Sequence, residues 1–322
     1  MLKRKRGSAL KQGMEKPKVP LTVRLKKEIS RNWILYLMLL PVITYFIIFK
    51  YTPMYGITLA FKNFQTKKGI LGSPWVGFAN FERFLKAYNF KSLLWNTLRL
   101  STYSLVVGFP IPIVFALFLN YLRSNRLRKV VQMVSYAPHF ISTVVICGIL
   151  SLFMTNNTGI FNILRGMIGL KSIDYLGRPE YFSHIYVWSG VWQNMGWSAI
   201  IYISALAGVD QQMHEAAIID GASKLQRMWY IDIPSIKSTI VMLLILKMGS
   251  IMDIGFEKVF LLQNPLNKDV SNIISTYVYQ VGLQNAQYGY STAVNLFNTI
   301  INVILLVAAN TVSKKLFDES LV

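Results

Sequence analysis

The chain has 322 residues, of which 53% are hydrophobic and only 15% charged, and its mean hydropathy is +0.40. A soluble domain carries about a quarter charged residues, so this composition excludes an ordinary soluble globular protein and reads as a polytopic membrane protein. The formal net charge of +20 does not point to nucleic acid. Much of the excess precedes the first apolar run, in Lys3, Arg4, Lys5, Arg6, Lys11, Lys16, Lys18, Arg24, Lys26, Lys27 and Arg31, where a basic tail follows the positive-inside rule and lies on anionic lipid.

Residues 1–31 therefore read as a cytoplasmic basic tail, too long for a cleavable signal peptide and with no small-residue cleavage site after the apolar run that follows. The first span is 33–49, with Pro41 inside it and Lys50 closing it; proline is tolerated in membrane helices because neighbours satisfy the freed carbonyl. Residues 51–92 form an outer loop with a short amphipathic helix at FANFERFL (78–85), although the loop's lysines run against the positive-inside pattern. The second span, 93–120, carries Pro110 and Pro112, with Arg99 near its outer end as an anchor. Arg123, Arg126, Arg128 and Lys129 mark a cytoplasmic loop. The third span, 130–154, contains Pro138 and His139, and 155–183 is polar and outside. The fourth, fifth and sixth spans are 184–209, 236–256 and 291–312, with 257–290 outside and Lys314 and Lys315 inside. The charge asymmetry thus predicts six membrane-spanning helices, all-α, with both termini cytoplasmic. A first helix and outer loop (32–92) precede a five-helix core (93–315), and 316–322 form a short cytoplasmic tail. Cys147 is the single cysteine, which leaves no disulfide within the chain and reads as a buried inert thiol.

Between the fourth and fifth spans stands EAAIIDGASKLQRMWYIDIP (215–234), an island of charged and small residues. It predicts a short helix, a break at Gly221, a second short helix and a stop at Pro234. Leu225, Met228 and Trp229 recur at i, i+3, i+4, which predicts an apolar face lying on the membrane helices. Ala216, Ala217 and Ala222 leave the other side low enough for a partner's backbone to come close.

The arrangement of Glu215, Ala216, Ala217, Asp220, Gly221, Ala222, Ile231 and Pro234 resembles the EAA loop of binding-protein-dependent ABC importer permeases, with Ile233 in place of the usual leucine and Met228 where an aromatic residue is frequent. The resemblance implies the MetI-like fold of a type I importer transmembrane domain. It also implies that the loop 210–235 docks into a cytoplasmic ATPase subunit, with Glu215 as the polar contact, Gly221 as the hinge, and Leu225, Met228, Trp229 and Ile231 tying it to the spans. Residues 275–297, STYVYQVGLQNAQYGYSTAVNLF, and the opening RNWILYLMLLPVITYFIIFKYTPMYG resemble the subfamily that imports complex oligosaccharides, which includes permeases for alginate and pectin-derived fragments. That likeness implies a second homologous permease, two ATP-binding cassette subunits using ATP and Mg, and an extracytoplasmic solute-binding protein.

The chain itself has no G-x-x-x-x-G-K-[ST], and no glycine is followed by lysine, so an ATPase site is expected on another subunit. His214 and Glu215 begin an H-E pair, but residue 218 is Ile218, so the zinc-protease pattern fails. The other histidines, His139 and His184, are far away in the chain and nothing has metal-ligand spacing; no cofactor is expected on this chain.

Polar groups in spans tend to face the bundle interior or a water-filled path. Asn295, Asn298 and Asn302 share a face of the sixth span at i, i+3, i+7. Trp188, Trp192, Gln193, Asn194 and Trp197 in the fourth mix rings with amides, a chemistry that suits a sugar; interhelical hydrogen bonding is the competing reading for both groups. Lys247 in the fifth span either pairs with Asp253 or Glu257, snorkels, or faces the pathway. A permease for a non-sugar solute, an exporter and a non-transporting receptor or scaffold remain open at this point.

Overall fold

The computed structural model describes residues 30–317; the basic tail before residue 30 and the last five residues lie outside them. Among the described residues there is no strand, and the one β-type pairing is an isolated antiparallel bridge between Lys62 and Trp75. The described residues divide into two compact units, one ending at residue 56 and the other starting at residue 57.

In the first unit, α1 (Trp33–Phe46) contains Pro41 and passes into a π-helical turn, Ile47–Tyr51. Pro53 has no N–H to continue the ladder, and the Thr52 hydroxyl donates to the Ile47 carbonyl at 2.8 Å across this turn. The helix was expected to close at Lys50. Instead the helical run continues as far as Phe61, giving 29 residues from Trp33. Every residue from 33 to 55 is exposed, and a helix apolar all round needs apolar surroundings.

In the second unit, short helical turns lead to α2 (Ala79–Leu85), the short amphipathic helix expected in the outer loop, which buries Phe84. α3 (Phe90–Gly108) and α4 (Pro110–Asn120) form one long run, with Pro110 at the start of the second piece, where its missing N–H costs nothing. α5 (Asn125–Tyr136) and α6 (Thr143–Phe153) cover the stretch expected as the third span, 130–154. The two pieces are bent by 99°, because Pro138 lies in a 3₁₀ turn and Ser142, in extended conformation, caps α6 by accepting from the Val145 N–H. α7 (Ile160–Met167) follows, then the 28-residue α8 (Pro179–Leu206). The candidate coupling segment, 210–235, holds α9 (Gln211–Ile219) and α10 (Lys224–Arg227). α11 (Lys237–Met248) is shorter than the expected fifth span: it stops at Gly249, and a turn leads to α12 (Phe256–Leu262). α13 (Ile274–Tyr279) precedes α14 (Tyr288–Phe317), which covers the expected sixth span.

Among the described residues, three helical runs are long and apolar enough to cross a membrane: Trp33–Phe61, Phe90–Asn120 and Tyr288–Lys315. A fourth counts if the bent α5–α6 pair is a single span.

α8 is the central strut, packed against α3, α4, α5 and α12. Gly196 lets it cross α5 closely: a Cβ at that position would fall into the Ser135 carbonyl. The core has three parts. One gathers Leu100, Cys147, Phe182, Val187, Val259 and Ile273; another gathers Phe84, Leu93, Met252, Tyr290 and Val294. The third gathers Ala116, Leu117, Ala199, Tyr202, Leu206, Met228, Ile231 and Ile236, and so fixes the coupling segment to the ends of α4 and α8.

Candidate coupling element and translocation cavity

The coupling segment is built by local capping chemistry. Asp210 caps α9 by accepting the Gln212 N–H at 2.9 Å. At the other end Gly221 takes the left-handed conformation, φ +78°. Its N–H donates to the Ile218 carbonyl at 3.0 Å, and the Ala222 N–H donates to Ala217 at 2.8 Å. That pair of bonds is a Schellman stop, for which glycine is the preferred residue. Two residues on, Ser223 and Gln226 form a reciprocal capping box that starts α10. The expected break at Gly221 is therefore present. The expected stop at Pro234 falls slightly later, because a π-helical turn (Met228–Asp232) carries the helix into Ile233–Ser235 and Pro234 occupies its first turn.

The segment presents Glu215, Ala216, Asp220 and Gly221 outward, with Ala217 and Ala222 half-buried, Ile231 buried and Pro234 exposed. The expected apolar face is corrected in part. Met228 is buried, but Leu225 and Trp229 are 70% and 68% exposed, because after the π turn the inward face is Met228, Ile231 and Asp232.

Asp232 is completely buried. Its Oδ2 accepts the Tyr121 hydroxyl at 2.7 Å, and its Oδ1 lies 3.3 Å from His214 Nε2, without a directed hydrogen bond. The Arg227 guanidinium stands over the Tyr121 ring at 5.4 Å. Burial, and then the bond to Asp232, push the Tyr121 phenol above its ordinary pKa. This polar cluster ties α9, the π turn and the end of α4 together. It escaped the sequence reading, in which His214 figured only in a failed zinc pattern. The lone carboxylate inside MWYIDIP was the available signal.

A cavity of about 1160 Å³ runs along α8, bordered by the α5–α6 bend, α11 and the turn into α12. Gln193, Asn194, Trp197 and Lys247, four of the expected pathway residues, line it together with His139, Tyr186, Glu257 and Lys258. His139 stacks on Trp197 at 4.6 Å and 6°, with its Nδ1 3.0 Å from Asn194 Oδ1. Gln193 donates to the Ile141 carbonyl at 3.1 Å, holding the bend against α8.

Trp192 and the three asparagines are not in the lining. Asn298 donates to Asp253 Oδ1 at 3.0 Å, and Asn302 accepts the Met252 N–H at 2.9 Å. Both are buried and pin the turn after α11 to α14, which is interhelical hydrogen bonding. Asn295 is exposed, and Trp192 is 48% exposed. Lys247 pairs with neither Asp253 nor Glu257.

Residues 108–318 match the model of the family described as binding-protein-dependent transport system inner membrane component. The chain belongs to that family. The permease is 43% identical over 298 residues to the polygalacturonan/rhamnogalacturonan transport system permease protein YteP of Bacillus subtilis (strain 168), covering 92% of this chain and 93% of that one. It is 42% identical over 293 residues to protein LplB of the same organism, covering 91% and 92%. The permease fold also superposes, with TM-score 0.85 and 39% identity over 91% of this chain and 99% of the other, on a chain of a bacterial ABC transporter involved in the import of the acidic polysaccharide alginate. The matched family segment contains residues 210–235 and all of the cavity lining except Ser104. It is thus the membrane component of an ABC transporter, as the EAA-type spacing implied.

Proposed function

We propose that this permease imports a saccharide, an oligosaccharide by preference, by alternating access driven by ATP hydrolysed on two separate cassette subunits with Mg. The observation that carries the coupling is the outward-facing turn of Glu215, Ala216 and Gly221, stopped by left-handed Gly221 and fixed from behind by Asp232 and Met228. A convex turn held rigidly on the helix ends passes a push from a docked subunit into α4 and α8 instead of absorbing it.

The saccharide reading is supported by the stacked His139–Trp197 pair beside the Asn194 and Gln193 amides in a large cavity, since sugar C–H faces rest on rings and hydroxyls bond amides. The names of YteP and of the alginate transporter support it too. A related chain, at TM-score 0.85 and 38% identity, comes from an alginate transporter in complex with an alginate pentasaccharide-bound periplasmic protein. An extracytoplasmic binding protein, a second homologous permease, six spans with cytoplasmic termini and a basic tail on lipid complete the arrangement. Nothing in this reading calls for nucleic acid.

The test is reconstitution of the permease with its genetic-neighbour permease, ATPase and binding protein in liposomes. ATP-dependent accumulation of labelled oligosaccharide is expected. ATP hydrolysis with no accumulation of any saccharide would overturn the reading.

A further inference from the structure

The loop that precedes α2 is stapled to the start of α14. A Cβ at Gly289 would fall 2.6 Å from the Lys62 carbonyl oxygen and 3.0 Å from that of Leu59, so glycine there lets the loop backbone cross the first turn of the helix. Arg83, on α2, donates to Gln287 Oε1 at 2.9 Å and stands 4.3 Å over the Tyr290 ring. The Phe64 ring meets Tyr288 edge-on at 5.7 Å. These contacts set the height of the loop. At about 1.5 Å per residue, the 28 residues from Tyr288 to Lys315 measure about 42 Å. A bilayer with both headgroup layers is about 40–45 Å thick. With Lys314 and Lys315 in one headgroup layer, Tyr288 and the loop fastened to it stand in the other.

At that height the loop holds apolar side chains in the open. Phe61, half-buried, stacks on Trp75 at 5.5 Å and 9° and meets Phe78 edge-on at 5.5 Å. Trp75 and Phe78 are 64% and 73% exposed, and Leu71 is 80% exposed. The loop is nevertheless firmly built. Lys62 pairs with Trp75 in the antiparallel bridge, and its Nζ donates to the Ile70 carbonyl at 2.7 Å. The hydroxyl of buried Ser73 donates to the Gly69 carbonyl at 2.6 Å and accepts the Gln65 N–H at 3.0 Å. Lys67 and Lys68, on the 3₁₀ turn of the same loop, are exposed, and neither has a carboxylate partner among the described residues. Glu82, on α2, is engaged by Lys86.

A cluster of exposed rings marks an interaction surface. Tryptophan and other aromatic rings collect at the headgroup level, where one end of the side chain is apolar and the other wet. Lysine stems lie on apolar surface there while the ammonium reaches acidic lipid phosphates. The coincidence of height, rings and unpaired lysines in one loop favours lipid over a protein partner. We infer that residues 61–81 are a lipid anchor in the headgroup layer opposite Lys314 and Lys315. Leu71, Trp75 and Phe78 enter the upper acyl region, and Lys67 and Lys68 meet the phosphates of acidic phospholipids. Through Gly289 and Arg83 the anchor ties the end of α14 to the bilayer surface, whichever solute is carried.

The experiment is spin labelling of the complete transporter, both permeases with both ATPase subunits, in vesicles of phosphatidylcholine alone or mixed with phosphatidylglycerol. Phe78→Cys and Leu71→Cys are labelled in turn with a nitroxide; Cys147 is buried, and the other subunits are prepared free of cysteine. For each label, the ratio of collisions with oxygen to collisions with a neutral, water-soluble nickel chelate reads depth. It is expected to stand several-fold above the ratio for a nitroxide in buffer and to rise further with phosphatidylglycerol. Lys67→Gln combined with Lys68→Gln is expected to remove that rise and leave the phosphatidylcholine value unchanged. A ratio equal to that in buffer would overturn the anchor, because the loop is then solvated. Few collisions with either reagent would also overturn it, the result expected if the second permease covers the patch. So would exclusion of the nickel chelate that begins only when the binding protein is added. No rise with phosphatidylglycerol, or a rise that survives in the double lysine variant, would overturn the part given to the lysines.

Discussion

Tyr121, at the end of α4, donates its hydroxyl to the completely buried Asp232 at 2.7 Å, so the end of one membrane helix is bonded to a segment 111 residues later. Hydrogen bonds to charged groups contribute about 1.5–3 kcal/mol, more than neutral ones. Tyr121→Phe is therefore expected to lower stability by about 2 kcal/mol, because it leaves the carboxylate facing only His214. Asp232→Asn should cost less, since an amide oxygen still accepts the phenol. Thermal unfolding of the two single variants and the double variant checks this: a double-mutant cycle with no coupling energy would show that the bond is idle.

The same pair gives a pH dependence with a definite sign. The Tyr121 phenol stands above its ordinary value of 10.0, through burial first and the Asp232 bond second. A raised folded pKa contributes stability that is fully present below the unfolded value and is lost as pH climbs through the folded one. The stability gap between the unaltered protein and Tyr121→Phe should be constant from about pH 6 to 9 and shrink only above about pH 10. A gap that closes between pH 6 and 8 would assign the effect to another group.

Gly221 offers a test of turn geometry apart from packing. No atom lies within 4 Å of a Cβ built there, so within this chain a side chain meets strain, not a clash. Gly221→Ala is expected to cost about 1 kcal/mol, Gly221→Asn less because asparagine tolerates the left-handed region, and Gly221→Val more. Gly221→Asp is expected to insert normally into the membrane and to lose ATP-driven uptake, because a charged side chain then projects into the proposed docking surface. Membrane abundance and uptake, measured on the same cells, separate the two effects.

Asn302 decides between pathway and packing in α14. Its Oδ1 accepts the buried Met252 N–H, so Asn302→Leu leaves that N–H unpaired at about 1–3 kcal/mol. Unfolding temperature should fall while saccharide affinity stays unchanged. An affinity loss without a stability loss would return Asn302 to the pathway.

The strongest helices were legible because hydropathy alone specifies them: Phe90–Asn120 and Tyr288–Lys315 overlap the spans read from sequence. The break at Gly221 was legible because its chemistry is local, a left-handed glycine followed by a serine–glutamine capping box. The 99° bend between α5 and α6 was not, since Pro138 is as compatible with a kinked straight span as with a turn, and Ser142 becomes a cap only once the chain has bent. In the cavity, Gln193, Asn194, Trp197 and Lys247 were readable as polar or aromatic residues at membrane depth. Lys258 and the His214–Asp232–Tyr121 cluster were not. Their partners are distant in sequence, and residues near span ends ordinarily face water. Asn298 and Asn302 share with the lining residues the same polar signature, and only the backbone and carboxylate partners they find tell packing from pathway.

The central claim is that residues 210–235 are gripped from the cytoplasm by a separate ATPase subunit. Cys147 is the native cysteine and is buried, whereas Ala216 is exposed on the coupling turn, so Ala216→Cys supplies one addressable thiol. The decisive measurement is thiol-directed cross-linking of Ala216→Cys in membranes containing the full complex. The account predicts a single adduct with the ATPase subunit, sensitive to ATP, and protection of this thiol from membrane-impermeant reagents added outside intact cells. Labelling from outside, or a functional complex in which no ATPase adduct forms, would contradict it.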